Sequence, residues 1–367
     1  MSTLKSIASQ LGVSTATVSR ALNDQPGVSN ELRMKVRELA ERMDYTPNVA
    51  ATVLATSKTH TIGYLCTDFG TPFSTDPFYY YIMRGAEREF RRHGYYVLMS
   101  TLELDPPPDA GKLNLFRERR VDGLVVVGPA VPSRFILDLL ATGAKIVLVD
   151  NLLQHSKVNC VVMDDRHGGY TATQHLISHG YAPIACLSGP DAWPSSRSRV
   201  SGYLDALKQT GLAPLIIKQP FTTFDTGYLA MRELLAQAPN VRAVFAVNDS
   251  MALGAMRAAV ETQRSVPGDV AFVGFDDIAP AAMSNPTLTT VHVPKEQFGR
   301  QVARRLLDML SDEDDVALRI VIDTQLVVRA SCGCRSCLSP QQETPAPQTR
   351  AEGGFVSYVT GGESAKV

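Results

Sequence analysis

The first 23 residues carry two short helical patterns separated by a glycine, and this spacing constrains the fold more than any other feature of the chain. Apolar residues recur at helical intervals over 4–11, Gly12 interrupts them, and Ser14 can cap a second helix over 15–22. Two short helices joined by a turn that contains glycine form a helix-turn-helix, whose second helix enters the DNA major groove. The spacing therefore predicts a DNA-reading head.

The second helix of this pattern has an inward and an outward face. Val13, Val18 and Leu22 pack inward in that geometry. Small hydroxyl and methyl groups on the outward face allow close approach to DNA, and an arginine one turn later can bind guanine in a bidentate manner. The same spacing also arises in helical proteins that do not bind DNA, so these residues alone leave both interpretations open. The outward residues are Thr15, Ala16, Thr17, Ser19 and Arg20.

A third helix and a short linker follow this pair. Apolar spacing predicts a helix over 31–43, capped by Ser29 or Asn30, which completes a three-helix head of about 45 residues. A head of this size buries little surface and is only marginally stable alone. Pro47 ends the helical region, and 48–57 is a short alanine-rich linker.

The N-terminal segment resembles the lactose-repressor (LacI/GalR-type) family of bacterial transcription regulators. The match covers residue types, their order and their distance from the N-terminus, and the resemblance extends to about residue 332. It implies a DNA-binding head, a hinge and an effector-binding core, in a protein that binds a pseudo-palindromic operator at least as a homodimer. The segments that carry the resemblance are 4–8, 12–14, 17–23, 28–29 and 45–48, with Ala51 and Leu54.

The resemblance also implies further DNA contacts. In the family the linker folds into a hinge helix on the operator, and a leucine from each subunit enters the minor groove; by position this is Leu54. Such an apolar wedge unstacks and kinks the duplex, while the alternative is a solvated linker with an incidental leucine. Thr52 stands where the family often has arginine, which puts one contact in doubt. The expected contacts outside the recognition helix are Thr3, Ser14, Asn23, Ser29, Tyr45, Asn48, Ala51 and Leu54.

Composition places the chain among soluble globular proteins. It has 367 residues, of which 44% are hydrophobic and 20% charged, enough for two or three domains. No apolar run approaches the roughly 18 residues of a membrane span, and no apolar segment follows Lys5, so no secretory signal is expected. Seven basic and five acidic side chains give residues 1–60 a charge of +2, which leaves −3 for the rest. This bias is mild, so the DNA assignment rests on the motif.

From residue 61 short apolar strands alternate with helical stretches, a pattern typical of parallel sheets covered on both faces. About nine such strands exceed one comfortable sheet, so the expected fold is an α/β core of two doubly wound subdomains. The resemblance implies the periplasmic-binding-protein type I fold, in which the chain crosses back to the first subdomain. The expected domain boundaries are a head at 1–46, a hinge at 47–60, an effector-binding and dimerisation domain at 61–331 and a cysteine-containing disordered tail at 332–367. Within the effector-binding domain, the N-subdomain is expected at about 61–163 plus 293–325 and the C-subdomain at about 164–292.

Several predicted strands end on a carboxylate or amide, at the sheet edge where α/β proteins bind ligands. Asp150, Asn248 and Asp276 can accept hydrogen bonds from ligand hydroxyl groups, and the last two match effector-contact positions of the family. Aspartate and asparagine also end strands as turn formers or helix caps. For Asp249 and Asp277 that interpretation is the better one.

Arg199 and three aromatic residues complete the expected effector site. Arg199 matches an effector-binding arginine of the family, and its guanidinium group offers five hydrogen-bond donors. Ser195 could add a hydroxyl group. The alternative role for Arg199 is a salt bridge at the protein surface. Phe78 and Tyr79 fall where the family's first core helix faces the cleft, and Trp193 lies on the opposite subdomain. Flat rings against a pyranose favour a carbohydrate effector, although these aromatics can also be core. The long loop before Phe78 hints at a disaccharide or larger glycoside.

The sequence predicts neither an enzyme nor a bound cofactor or metal. No phosphate-binding loop, nucleophile elbow or zinc-protease motif is present, and His175 and His179 form a surface pair rather than a metal site. Cys66, Cys160 and Cys186 lie in predicted strands as buried hydrophobes, in keeping with a reducing compartment. A C-x-C-x-x-C cluster with a possible metal or redox role follows, at Cys332, Cys334 and Cys337.

Two classes of function remain after these exclusions. The first is a bacterial, cytoplasmic, nucleoid-associated repressor, in which a small-molecule effector between two lobes controls operator affinity. A sugar or glycoside is the expected effector, with a purine or phosphorylated metabolite as the alternative. The second class is a sugar-binding receptor of the same fold without a DNA role, but a periplasmic receptor would need a signal peptide and no helix-turn-helix.

Overall fold

The structure is a computed structural model of the chain. It describes residues 3–22, 25–45, 58–67, 77–104, 108–113, 115, 118, 120–153, 157–208, 210–311 and 316–334. No helix within these ranges has the length and apolar composition that a membrane crossing requires. The predicted DNA contacts Asn23, Asn48, Ala51 and Leu54 lie outside the described residues, as do Cys337 and the loop that precedes Pro77.

Three helices form the head, and a hydroxyl side chain caps the start of each. Thr3, Ser14 and Ser29 each accept a hydrogen bond from the backbone N–H three residues further on. Gly12 ends the first helix in the left-handed conformation, with φ at 64°, which glycine adopts without strain. The helices are α1 (Leu4–Leu11), α2 (Thr15–Leu22) and α3 (Asn30–Arg42).

The head has a hydrophobic core of its own. Ile7, Val18 and Val36 are fully buried, one from each helix, and Val13 and Leu22 pack against them as the sequence predicts. This cluster shares no side chain with the two larger clusters of the molecule. The head is therefore a separately packed unit.

Two parallel sheets with helices on both faces follow the head. The described strands are β1 (Thr61–Thr67), β2 (Tyr96–Leu102), β3 (Gly123–Val127), β4 (Ile146–Val149), β5 (Asn159–Met163), β6 (Ile184–Ser188), β7 (Leu215–Lys218), β8 (Ala243–Ala246), β9 (Ala271–Val273), β10 (Thr290–His292), β11 (Arg319–Ile322) and β12 (Gln325–Val327). β10 and β12 pair with each other in a separate antiparallel sheet, and the other strands form the two parallel sheets. The helices are α4 (Phe78–Arg92), α5 (Ser133–Ala141), α6 (Asp165–Ser178), α7 (Pro194–Lys208), α8 (Phe224–Gln237), α9 (Asp249–Glu261), α10 (Ala279–Met283) and α11 (Lys295–Leu310).

The sheets define two lobes that the chain visits in turn. The first sheet has the strand order β11-β5-β4-β3-β1-β2 and, with α4, α5 and α11, forms the N-lobe. The second has the order β7-β6-β8-β9 and, with α6 to α10, forms the C-lobe. β11 returns to the N-lobe sheet and pairs in parallel with β5, so the C-lobe is inserted between β5 and β11. This topology places the carboxyl ends of several strands from both sheets around one cleft.

The sequence patterns do not predict the two edge strands β7 and β11, whose apolar pattern is weak. β7 is only partly buried, and β11 exposes Arg319 and Val321 in an alternating pattern. Each has only three consecutive apolar residues, 215–217 and 320–322, before a charged residue ends the run, which is shorter than the runs of the central strands.

The expectation of disorder from residue 332 onward is wrong for the first residues of that segment. Cys332 and Cys334 are 0% and 1% exposed. The turn Ala330–Cys332 docks on the C-lobe, since Ser331 Oγ donates to the Phe272 carbonyl at 2.7 Å. Cys332 is a free thiol, and the three cysteines predicted in strands are also free and buried.

Glycines allow α6 and α7 to pack with their backbones in contact. A Cβ at Gly169 would collide with the carbonyl oxygen of Arg199, and one at Gly202 with that of Arg166. A Cβ at Gly168 would collide with the Phe275 ring. These contacts set the distance between α6 and α7 and hence the position of the Arg199 backbone.

We expect Gly169→Ala to destabilise the protein. Overpacking costs about 1–3 kcal/mol, more than the roughly 1 kcal/mol that alanine gains over glycine as a helix former. Urea unfolding would measure the loss. His167→Ala, an exposed change on the same helix, should stay within about 0.5 kcal/mol of the parent. Equal stability of the two variants would contradict the close packing.

Candidate DNA-reading face and ligand cleft

The recognition helix α2 presents the residues that the sequence assigns to DNA. Thr15, Ala16 and Arg20 are exposed, and Thr17 and Ser19 are partly exposed. Arg20 Nε donates to the Ala16 carbonyl at 3.4 Å, and its Nη1 lies close to Gly27 in the loop before α3. The face thus offers small groups at its start and one long donor a turn later, a set that fits the edges of bases in a major groove.

The other predicted DNA contacts in the described head also have structural roles. Thr3, Ser14 and Ser29 are exposed, and each caps a helix while its hydroxyl hydrogen can still serve a phosphate. Tyr45 is partly buried against the head core. The structure therefore brings these groups to the helix starts but does not test their contact with DNA.

Arg199 lies at the centre of a buried ion cluster between the lobes. Its side chain is 6% exposed, and its Nε donates to Asp165 Oδ1 at 2.8 Å. Nη1 lies 3.2 Å from Asp276 Oδ1 and donates to the Val247 carbonyl at 2.6 Å. The guanidinium carbon stacks 3.7 Å from the centroid of the Phe275 ring. The alternative of a surface salt bridge is wrong for this arginine.

Asp150 faces this cluster from the N-lobe. It follows β4 in the left-handed conformation, with φ at 53°, and is 6% exposed. Tyr79 donates its hydroxyl to Asp150 Oδ2 at 2.5 Å, and the nearby Ser195 hydroxyl opposes the rise in the pKa of this carboxyl group. Because Ser195 is on α7 and Asp150 follows β4, the two lobes approach each other here.

Asn248 and Asp276 lie at strand ends of the C-lobe, as predicted, but in different roles. Asn248 Oδ1 accepts from the Met251 backbone at 2.9 Å, and Nδ2 donates to the Thr222 carbonyl at 2.8 Å. The protein therefore uses Asn248 as the cap of α9. Asp276 has φ at 103° and is 5% exposed, with its carboxyl group turned to Arg199.

The aromatic residues divide between core and cleft. Phe78 is 4% exposed and belongs to the main core, where it meets the Tyr79 ring edge-on with centroids 5.1 Å apart. Trp193 is partly exposed one residue before α7. Tyr79 thus contributes a polar tip to the cluster, and the Trp193 ring lies near Gly189 at the end of β6.

The cleft carries more acid than base. Asp150, Asp165 and Asp276 surround one arginine, so the carboxyl groups outnumber the guanidinium group by two. Burial, reinforced by the charge of Asp165, raises the pKa of Asp150 to about 7, against the opposing effect of Arg199. Burial also raises the pKa of Asp165, whereas the charges of Asp276, Asp165 and Asp150 hold the pKa of Arg199 above its usual range despite burial. Acceptors in excess suit a ligand that donates hydrogen bonds.

Sequence reasoning missed three residues of this site. Asp165 is the second of the two aspartates that end the predicted strand over 160–165, a signal that was available. Phe275 supports Arg199 from below, and no spacing rule identifies it. Lys295 Nζ donates to the carbonyls of Asp276 at 2.5 Å and Asp277 at 2.9 Å, which ties the N-lobe helix α11 to the C-lobe strand end. A contact between distant segments, such as that of Lys295 with Asp276, depends on the crossover of the chain between the lobes. It cannot be predicted from the residues of one segment.

Comparison with known families decides the identity of this architecture. The profile described as "Bacterial regulatory proteins, lacI family" matches residues 3–48, and that described as "Periplasmic binding proteins and sugar binding domain of LacI family" matches residues 59–330. The chain belongs to the LacI family. Its members share the two parts found here, a helix-turn-helix head and a two-lobed core, and the chain is accordingly a DNA-binding transcriptional regulator.

Individual LacI-family proteins match over nearly the whole chain. The ribose operon repressor of Escherichia coli (strain K12) is 33% identical over 338 residues, which cover 90% of this chain and 100% of the relative. The regulator CelR of Thermobifida fusca is also 33% identical, over 90% of this chain and 98% of its own length. The structure of a CelR–cellobiose complex has a TM-score of 0.68 to this chain at 32% sequence identity, and the match covers 90% of this chain and 100% of that one. The structure of the lac repressor dimer bound to operator has a TM-score of 0.75 at 25% identity, and the match covers 90% of this chain and 99% of that one.

We expect Asp150→Asn to remove a pH dependence of stability. Because the folded-state pKa of Asp150 is raised, its contribution is present at low pH and is lost as the pH rises through about 7. Each tenfold change in ionisation is worth about 1.4 kcal/mol, so the loss between pH 5 and pH 8 should reach a few kcal/mol. The variant should lose less than the parent over this range in urea unfolding.

Asp249 provides the comparison for this measurement. Burial raises its pKa to about 7 as well, so some pH dependence should persist in Asp150→Asn. Identical slopes for parent and variant would show that Asp150 ionises normally in the folded protein.

Proposed function

We propose that this LacI-family regulator is a repressor whose operator affinity is controlled by a sugar bound at the Arg199 cluster. The observation that carries the proposal is the placement of an acid-rich, buried polar cluster between two lobes joined to a DNA-reading head. In this assignment Arg199, Asp150 and Asp276 bind ligand hydroxyls, and Tyr79 and Trp193 line the site. The protein acts by binding alone, on the chromosome of a bacterial cytoplasm, without a chemical step.

The head supports sequence-specific DNA binding in this proposal. Arg20 and the small groups at the start of α2 would read base edges, and Leu54 would act as the minor-groove wedge. A single short helix reads few bases, so two heads related by a two-fold axis would read a palindrome. The hinge contacts of Asn48 and Ala51 belong to the same proposal.

The chemistry of the cleft supports a neutral polyhydroxylated effector. A sugar donates from every hydroxyl, and the cluster holds three carboxyl groups around one guanidinium. A phosphorylated metabolite would place its charge among these carboxyl groups and is disfavoured. The relatives named above are a ribose operon repressor and a regulator solved with cellobiose, while a 31% identical relative of Edwardsiella ictaluri is named as the repressor PurR. A purine effector therefore remains the second candidate.

Control of DNA binding would follow from lobe movement. The effector contacts both lobes, so it favours one angle between them and thereby one distance between the two hinges of a dimer. About a hundredfold preference for one state supplies about 2.7 kcal/mol per site. Specific and non-specific DNA binding differ by roughly 4–10 kcal/mol. Induction would thus weaken operator occupancy without abolishing contact with DNA.

The decisive experiment is operator binding by the full chain, with DNA from its own upstream region and a panel of mono- and disaccharides. Release by one sugar supports the proposal and identifies the effector. Specific binding that no sugar alters retains the DNA role and favours a purine. Absence of specific binding overturns the operator assignment.

We expect Arg20→Ala to flatten the sequence preference of the protein. A bidentate arginine–guanine pair is worth about 1–3 kcal/mol of discrimination, so the ratio of specific to non-specific affinity should fall roughly tenfold or more. Arg42→Ala, an exposed change at the end of α3, should keep the ratio. Competition binding with operator and scrambled duplexes measures it, and a retained preference in Arg20→Ala would move base reading elsewhere.

We expect Asp276→Asn to abolish the effector response while operator binding persists. The change removes a charged acceptor beside Arg199 and should weaken sugar binding by about tenfold or more. Asp225→Asn, an exposed carboxylate in the first turn of α8, is the matched control. Fluorescence anisotropy of labelled operator during sugar titration gives both readings, and a normal response in Asp276→Asn would place the effector outside this cleft.

A homodimer is part of the proposal, and exposed apolar side chains indicate where it forms. The edge strand β2 exposes Tyr96, Leu98 and Met99 by 73%, 39% and 41%. In the C-lobe Phe224 on α8 is 41% exposed and Met283 on α10 is 81% exposed. An uncovered apolar edge strand is an aggregation hazard that a partner subunit would remove.

We expect Leu98→Asp to weaken this dimer, because a carboxylate would be buried at the interface. Val321→Asp lies on β11, at the opposite edge of the same sheet, and serves as the control. Sedimentation velocity should find monomer only for Leu98→Asp at concentrations where the parent is dimeric. Dimers of unchanged strength would exclude β2 from the interface.

A further inference from the structure

Two consecutive residues at the cleft, Asp276 and Asp277, have a backbone conformation that non-glycine residues rarely adopt. Their φ angles are 103° and 54°, and no other two consecutive non-glycine residues in the described ranges both have a positive φ. Such a conformation costs free energy and persists only where the surrounding structure holds it. The strain falls on the residue that presents a carboxylate to Arg199. The contacts that hold this turn therefore also determine where the Asp276 carboxylate lies.

The small β10-β12 sheet, which packs on α6 of the C-lobe, anchors the second residue of the turn. Asp277 Oδ1 accepts from Arg329 Nη2 at 2.6 Å, and Oδ2 lies 2.8 Å from His292 Nδ1. Burial opposes ionisation of this carboxyl group, but its hydrogen bonds with His292 and Arg329 lower the pKa of Asp277 to about 2. The backbone N–H of Asp277 donates to Thr290 Oγ1 at 3.3 Å. The side chain and amide group of Asp277 are thus fixed on the C-lobe side.

A lysine from the N-lobe holds the carbonyl groups of the same turn. Lys295 Nζ donates to the Asp276 carbonyl at 2.5 Å, to the Asp277 carbonyl at 2.9 Å and to the Val293 carbonyl at 3.2 Å. An ammonium group donates three hydrogen bonds, so one side chain can hold both carbonyls of the turn. Burial raises the pKa of the nearby Asp249, and the charge of Lys295 opposes that rise. Lys295 therefore acts on the backbone and on the charge of this strand end.

The backbone of Lys295 is fixed to the N-lobe, because the first turns of α11 pack closely on α4. A Cβ at Gly85 of α4 would collide with the carbonyl oxygen of Glu296, the second residue of α11. A Cβ at Gly299 of α11 would collide in the same way with the carbonyl oxygen of Ile82. The start of α11 therefore moves with α4 when the N-lobe moves, whereas the turn that Lys295 holds belongs to the C-lobe side.

We propose that Lys295 is the positioning residue that couples the effector site to the angle between the lobes. This inference rests on the proposed function, in which a sugar at the Arg199 cluster controls operator affinity. In one arrangement of the lobes the ammonium group holds the strained turn, and Asp276 faces Arg199. A change of angle withdraws Lys295, so the turn relaxes and the Asp276 carboxylate moves. By linkage, an effector that needs this carboxylate in place favours the arrangement in which Lys295 is engaged.

The test compares Lys295→Met, Lys295→Arg and Lys208→Met with the parent, each as the full chain. Methionine is about as long as lysine but has no charge and no donor, whereas arginine keeps both. Lys208 is an exposed lysine on α7 and provides the matched control. Circular dichroism verifies that each variant is folded.

The first measurement is hydrogen exchange of the sugar-free proteins, followed by mass spectrometry. The amide groups of 276–278 all donate hydrogen bonds within the fold, so their exchange reports opening of the turn. Exchange over 276–278 should be about tenfold faster or more in Lys295→Met, with α8 unchanged. Lys208→Met should exchange like the parent in both segments.

The second measurement is the ratio of operator dissociation constants with and without a saturating sugar. It uses the sugar that releases the parent, and calorimetry verifies that each variant is saturated, so a weaker sugar affinity alone cannot change the ratio. A parent ratio of about 5- to 150-fold should fall below about threefold in Lys295→Met. Lys295→Arg should restore most of the response, and Lys208→Met should keep all of it. A role of Lys295 in stability alone would leave the ratio unchanged.

Two results would overturn the inference. One is exchange of the turn in Lys295→Met as slow as in the parent; the other is an operator ratio in Lys295→Met equal to that of the parent. If no sugar releases the operator from the parent, the proposed function fails instead. Exchange of the turn needs no effector, so it still decides in that case whether Lys295 holds Asp276 in place.

Discussion

The buried guanidinium of Arg199 is the interaction on which the core depends. A charge taken out of water is tolerated only with close partners, and here Asp165, Asp276 and the Val247 carbonyl supply them. Those partners come from a helix start and two strand ends, so the ion cluster determines how α6, α7 and the C-lobe sheet meet. The glycines of α6 and α7 let the two helix backbones touch, and this close packing brings Arg199 to Asp165.

The same cluster explains how a ligand in the cleft can change the arrangement of the two lobes. Asp150 faces it from the N-lobe and interacts electrostatically with Arg199, and Lys295 holds the backbone of Asp276 and Asp277 to the start of α11. Both links cross from one lobe to the other close to the strands that connect them. A ligand that reorganises the carboxyl groups therefore acts on the joint between the lobes rather than on one surface loop.

The sequence predicted the parts of the protein that local patterns encode. Helical spacing and capping residues located the head, and continuous apolar runs located the central strands, because both signals lie within a few residues. The edge strands β7 and β11 have runs of only three apolar residues and are partly exposed. Arg199 and Asp276 were found through a family resemblance, whereas Asp165, Phe275 and Lys295 take their roles from contacts between distant segments. The amide of Asn248 matched a ligand position, yet local geometry uses it as a helix cap.

The separately packed core of the head has a consequence for the lifetime of the protein in a cell. A unit that shares no buried side chain with the lobes can unfold without them, and so small a unit has little stability of its own. Bound DNA would protect it by mass action, since only the folded head binds. Repressor molecules away from an operator would then be the ones open to proteases, which couples the abundance of the protein to the number of sites that it occupies.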